Sequence, residues 1–260
     1  MILQDFHTHT SLSDGADSPE ELAQAAVSMG MTCLGISDHA NTPFDEDYCL
    51  AAGSEEAYRR RVHALRERYQ GRIRILCGIE QDIFAPVPAR GYDYVIGSVH
   101  YVSAQGRYIP VDLQPELMSE AARDIFDGDI YTLVERYYET VSQVVERTGA
   151  DLIGHFDIIT KYLEREPIFD TQHPRYIAAW QSAADTLLKT GRPFEINTGA
   201  MSHGYRTSPY PAPEILTYLR ARGARFVLSS DCHEKANLMY RFPDFEAYAA
   251  CADFPETRPG

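Results

Sequence analysis

Seven short apolar runs punctuate this chain, and six of them stop at a side chain able to ligate a metal. The six are Ile2–His9, Cys33–His39, Arg74–Glu80, Tyr94–His100, Leu152–Asp157 and Arg225–His233; Pro193–Thr198 is the exception. Each has the length and composition of a buried strand. Imidazoles and carboxylates spread from His7 to His233 have no local reason to share that position. Parallel strands closed into a barrel supply one, because every C-terminal end then opens on the same face. The chain therefore reads as a polynuclear metalloenzyme.

Helix signals alternate with the runs. Ser18-Pro19-Glu20-Glu21 is a capping box with proline at the first helical position, and Gly30 closes that helix. Further helices are predicted over Glu55 to Tyr69, Ile130 to Thr148, Arg175 to Thr190 and Pro213 to Arg222. Strand then helix, repeated with short links, means parallel strands and right-handed crossovers. The predicted fold is α/β, a distorted seven-stranded (β/α)7 barrel in one domain spanning 1–260, with an open doubly wound sheet as the alternative. Ala40 to Ser54 and Tyr101 to Asp129 break the rhythm and are expected to be long loops over the site. Phe254 to Gly260 is read as an unstructured end.

Composition narrows the function classes. A formal net charge of -14 argues against a nucleic-acid partner, since phosphate backbones require a basic footprint. Bound divalent cations would offset acidity at the active face and let an anionic substrate in. The five cysteines include no CxxC pair, and Cys33, Cys77 and Cys232 are read as packing residues. The N-terminus lacks a signal-peptide pattern and no apolar run reaches membrane length, so a cytoplasmic protein with no membrane partner is expected. A homo-oligomer is compatible with all of this.

His7-Thr8-His9 sets two imidazoles on one side of an extended segment, because strand side chains alternate with period two. Asp14 lies in the following loop. His39, His100 and His155 end later strands, and Asp231 and His233 repeat the two-residue spacing at the last. Glu80, closing the run from Ile73, has two oxygens to share and is the candidate bridge between cations. Imidazole and carboxylate without thiolate suit Zn, Mn or Fe. Nine donors are too many for one ion and suit two or three.

The segments HTHT, SDGxxSPEEL, SDH, GIE, GSVH, GHFD, EINTG and SSDCH, from His7 to His233, resemble in order those of the polymerase and histidinol phosphatase (PHP) family. GSVHYV, GHFDIITKY and the segment from Glu195 to Pro211 are most similar to its histidinol-phosphate phosphatases. The resemblance implies a trinuclear site: one metal on His7, His9, Glu80 and Asp231, a second on Glu80, His100 and His155, a third on Asp14, His39 and His233. Many relatives carry histidine where Asp14 stands. The implied reaction is hydrolysis of L-histidinol phosphate in histidine biosynthesis, by in-line attack of a metal-bridged hydroxide on phosphorus. Glu80, Asp231 and Arg206 would be catalytic, with Arg206, whose guanidinium fork matches phosphate, joined in substrate binding by Lys161 and His203. Another phosphoester (a phosphotyrosine protein, a nucleotide or a small phosphoester) is the alternative substrate. An amidohydrolase-type enzyme and a non-catalytic metal-binding protein are the rival classes.

Overall fold

The structure, a computed structural model, describes residues 2–86, 89–249 and 254. Among the described residues there are nine strands: β1 (Gln4–Asp5), β2 (Cys33–Ile36), β3 (Arg74–Asp82), β4 (Tyr94–Ser98), β5 (Tyr101–Ala104), β6 (Arg107–Pro110), β7 (Leu152–Ile153), β8 (Phe194–Asn197) and β9 (Phe226–Ser229). Seven form one sheet in the order β1-β2-β3-β4-β7-β8-β9, every pairing parallel. Its two edges meet at a parallel bridge between Thr8 and Cys232, and the Asp5 carboxylate accepts from Ser230 N at 3.0 Å. The result is a nearly closed, distorted seven-stranded barrel.

Eight helices are described: α1 (Pro19–Ser28), α2 (Glu55–Arg68), α3 (Pro115–Ile125), α4 (Ile130–Val141), α5 (Val144–Thr148), α6 (Pro174–Leu188), α7 (Gly199–Ser202) and α8 (Pro213–Ala221). The Ser18 box caps α1 reciprocally with Glu21. The helix expected over Ile130 to Thr148 is instead broken into α4 and α5. There the Ser142 hydroxyl and the Gln143 amide both donate to Glu139 O, at 2.7 and 3.1 Å, and so compete with the helical ladder. Among the described residues no helix is long and apolar enough to cross a membrane.

Tyr101 to Asp129 is not a loop. β5 and β6 form an antiparallel hairpin whose two linking residues, Gln105 and Gly106, both have positive φ, the turn geometry that matches strand twist. α3 follows, opened by Pro115 and burying Met118, Ala121 and Ala122. The segment from Ala40 to Ser54 does remain irregular.

Strand alternation divides the core. Cys33, Leu76, Tyr94, Ile96 and Val227 pack together inside the barrel, while Leu34, Ile75, Cys77 and Val95 face one set of helices. Ile153, Phe226 and Leu228 face the other. Cys232 is buried with the second cluster. Phe254 is not part of a loose end: it packs edge-on against Phe6 and Tyr94, because an aromatic ring fits the bottom of the barrel interior. Residues 255–260 lie outside the described residues.

The Tyr94 side chain crosses the interior where a Cβ on Gly35 or Gly78 would stand, within 2.1 Å of its hydroxyl and 2.2 Å of its ring respectively. Its hydroxyl donates to Phe6 O. That ring floors the upper half of the barrel. Continuing the same strand faces upward replaces apolar residues by Glu80 and Asp82 on β3, and by Ser98 at the end of β4 and His100 just past it.

Candidate metal centre

All nine proposed donors come together at this upper mouth. Four sets each place their donor atoms within 4.8 Å of one another: His9, Asp14, His39 and His233; His7, Glu80 and His155; His7, His9 and Asp231; His39, Glu80 and His100. Glu80 sits at the centre, fully buried. Its Oε2 lies 2.7 Å from His39 Nδ1 and 3.2 Å from His7 Nε2. Its Oε1 lies 2.8 Å from His155 Nε2 and accepts from Ser98 Oγ at 2.6 Å. Asp231 Oδ1 stands 3.0 Å from His9 Nε2, and Asp14 Oδ2 3.1 Å from His233 Nε2. His39 thus faces Glu80 and Asp14 with different nitrogens, so it borders two of the sets.

A ring of buried groups orients these donors. Glu195 Oε1 faces His7 Nδ1 at 2.6 Å, and its Oε2 accepts from the His155 backbone at 2.8 Å. Asp82 Oδ2 accepts from the backbone of His100 at 2.9 Å and faces its Nδ1 at 3.2 Å. Asn197 donates to Asp231 Oδ2 at 3.0 Å. Asp38 accepts from Thr10 N and Ser13 Oγ, which fixes the loop carrying Asp14. Asp231 itself has φ of +50°, a strained value for a non-glycine residue and one that an assembled site holds in place. Gly199 leaves room for it, since a Cβ there would lie 2.9 Å from that of Asp231.

Electrostatics match a cation-binding site. Burial would raise the Glu80 carboxyl, yet the imidazoles of His39, His7 and His100 hold it well below the usual range. Asp231 is held down against burial in the same way by His7 and His9. Burial, with His39 and His233 beside it, lowers His9 to about 4, leaving it neutral. Burial opposes protonation of His233 too, but Asp14 lifts it to about 9. The decisive fit is that His7 Nε2, His9 Nδ1 and Glu80 Oε2 are buried with no hydrogen-bond partner. Buried polar atoms are seldom left so; His7 Nε2 faces Glu80 Oε2 at 3.2 Å and His9 Nδ1 faces Asp14 at 3.8 Å, which suits coordination to divalent cations.

Above the donors opens a cavity of about 610 Å³, within the roughly 300–1,000 Å³ of small-molecule sites. Lys161 and His203 stand in its wall. Lys161 Nζ donates to Asp112 O at 2.9 Å, and Asp112 keeps the ammonium charged against the effect of burial. Arg206 is placed differently: it does not line the cavity. Its guanidinium is buried, 3.5 Å from Asp157 Oδ2, bonded to Thr160 and Ser208, and 4.5 Å from the centroid of the Tyr210 ring. Glu195 and Asp82 are not among the site residues expected from sequence. Both could have been found from a carboxylate lying on a strand's inner face, two residues from another polar one.

A family model described as the PHP domain matches residues 5–199. A Deinococcus radiodurans protein named "Probable histidinol-phosphatase" is 30% identical over 259 residues, covering 93% of this chain and 90% of that one. A Listeria monocytogenes structure provisionally described as a histidinol phosphatase has a TM-score of 0.78 at 18% identity, covering 93% of this chain and 99% of the other. The histidinol phosphate phosphatase of Lactococcus lactis, crystallised with zinc, L-histidinol and phosphate, has a TM-score of 0.67 at 18% identity, over 89% and 86% of the two chains.

Proposed function

The chain belongs to the PHP family, and on that premise we propose that it is a metal-dependent phosphomonoesterase converting L-histidinol phosphate and water to L-histidinol and phosphate. The observation that carries the choice of substrate is the cavity wall. Asp45, Asp47 and Asp112 line it with Tyr48 and Tyr101, and the Tyr48 ring lies edge-on to His39 with centroids 4.8 Å apart. Acids and aromatic rings suit an amino alcohol bearing a cationic nitrogen and an imidazole ring. The net charge of -14 disfavours a nucleic-acid substrate.

Two or three divalent ions, zinc, manganese or iron, would be held by the nine donors. By the family resemblance one ion would take His7, His9, Glu80 and Asp231, another Glu80, His100 and His155, and the last Asp14, His39 and His233, with His39 also beside Glu80. When bound, such ions neutralise phosphoryl charge and bring the pKa of water from about 15.7 to about 7. Glu80 and Asp231, both held ionised by their histidine neighbours, would supply the negative charge that balances such ions. Glu195 and Asp82 fix the rings of His7 and His100 by accepting their Nδ1 protons. Lys161 offers a charged ammonium to the phosphate, and His203, which also lines the cavity, borders the space for the leaving alcohol. The pair of Arg206 and Asp157 shapes the wall from behind. The whole is proposed to work as one barrel domain.

The test is an assay of the metal-reconstituted protein on histidinol phosphate beside phosphotyrosine and nucleotides. A clear preference in kcat/KM for histidinol phosphate is expected. Equal turnover of all three would remove the proposed substrate, and no turnover of any would remove the activity.

A further inference from the structure

Tyr210 is 2% exposed, yet its hydroxyl has no hydrogen-bond partner. Its side chain lines the cavity, with the ring centroid 6.4 Å from that of His155. A buried hydroxyl is normally paired, so one left free on a cavity wall is placed for whatever enters the cavity. We propose that Tyr210 donates a hydrogen bond from its phenol to a phosphoryl oxygen of the substrate, and that Arg206 is the positioning residue behind it.

The ring is held on every side that matters. Its backbone pairs reciprocally with Asn197, N to O at 2.8 Å and 2.9 Å, and Asn197 in turn holds Asp231. The Arg206 guanidinium lies against the ring and is itself fixed by Asp157 and Thr160. Asp157 Oδ1 is also unpartnered, but of the two residues only Tyr210 is among those lining the cavity. The charged groups bearing on the phenol are Arg206, Asp157, Asp112 and Asp231, and burial keeps its proton in place far above neutral pH. A phenol that retains its proton can donate to an anion. The stacked guanidinium strengthens that donation by drawing charge from the ring.

This rests on the phosphomonoesterase reading, and inorganic phosphate separates the two. Calorimetry on the metal-loaded wild type and on Tyr210→Phe measures phosphate affinity without turnover. The phenylalanine variant keeps the ring, so unchanged metal content and melting temperature are expected. Its phosphate affinity should fall roughly tenfold or more, as loss of a bond to a charged group requires, with kcat/KM falling in step. Arg206→Lys should weaken phosphate binding less, and adding it to Tyr210→Phe should cost nothing further, because both act through one hydroxyl. Equal phosphate affinity in Tyr210→Phe and wild type overturns the proposal, as do additive losses for the role of Arg206. A wild type that binds phosphate but spares histidinol phosphate overturns the substrate and leaves Tyr210 standing. A wild type that binds no phosphate overturns both.

Discussion

Glu195 Oε1 lies 2.6 Å from His7 Nδ1, which leaves Nε2 as the nitrogen turned towards Glu80 and Asp231. A carboxylate behind a ligating imidazole selects the tautomer and raises the basicity of the free nitrogen. Replacing it by the neutral Glu195→Gln should weaken metal affinity by about 10–100-fold with the fold intact. Competition against a graded chelator, with circular dichroism as the control, measures this; unchanged affinity would deny Glu195 that task.

Glu80 offers one oxygen to His7 and His39 and the other to His155 and His100. Glu80→Gln should therefore abolish turnover and lower the occupancy of two ions together. Elemental analysis of the purified variant counts them. Full metal content would rule out a bridge.

The metal-free protein should show a distinctive pH response. His233 is raised from 6.5 to about 9 by Asp14 in spite of burial. A raised histidine contributes stability that is complete below about 6.5 and lost as pH climbs through about 9. His7 and His100, also raised, act with the same sign. The melting temperature of the chelated protein should thus decline over that window. Metal affinity should rise over it, since fewer protons have to be expelled. Calorimetry at pH 7 in buffers of different ionisation enthalpy should register proton release on metal binding, and its absence would contradict the protonated state of these rings.

Arg206→Ala leaves Asp157 buried without its charged partner, both being nearly inaccessible to solvent. Breaking such a pair costs about 3–5 kcal/mol. A large drop in thermal stability with the metals retained is expected from a melting curve and elemental analysis. Unaltered stability would place the guanidinium in solvent.

What could be read in advance depended on whether a signal was local. Glu80 announces itself because a charge interrupts an apolar strand, and period-two alternation then fixes its face. Glu195 carries the same mark inside Phe194–Ile196, but the run Pro193–Thr198 ends in no ligand, so nothing at its terminus points to the acid inside it. The hairpin at Gln105-Gly106 escaped because its turn lacks the usual Asn or Asp before glycine. The placement of Arg206 is non-local: a guanidinium fork suggests phosphate, while its burial is decided by Asp157, Thr160 and Tyr210, which only the folded chain brings near. Tyr210, in a proline-rich segment with no periodicity, carried no mark at all.

The sheet's first and last strands meet at Thr8 and Cys232, and His9 N donates to Cys232 O at 2.9 Å. His7 and His9 flank one half of that join and Asp231 and His233 the other. The barrel is therefore a hoop fastened at its catalytic mouth, and the ions that serve chemistry also act as its clasp. Ligands that bind only the folded form stabilise it by mass action, so stripping the metals should loosen this join as well as remove the chemistry.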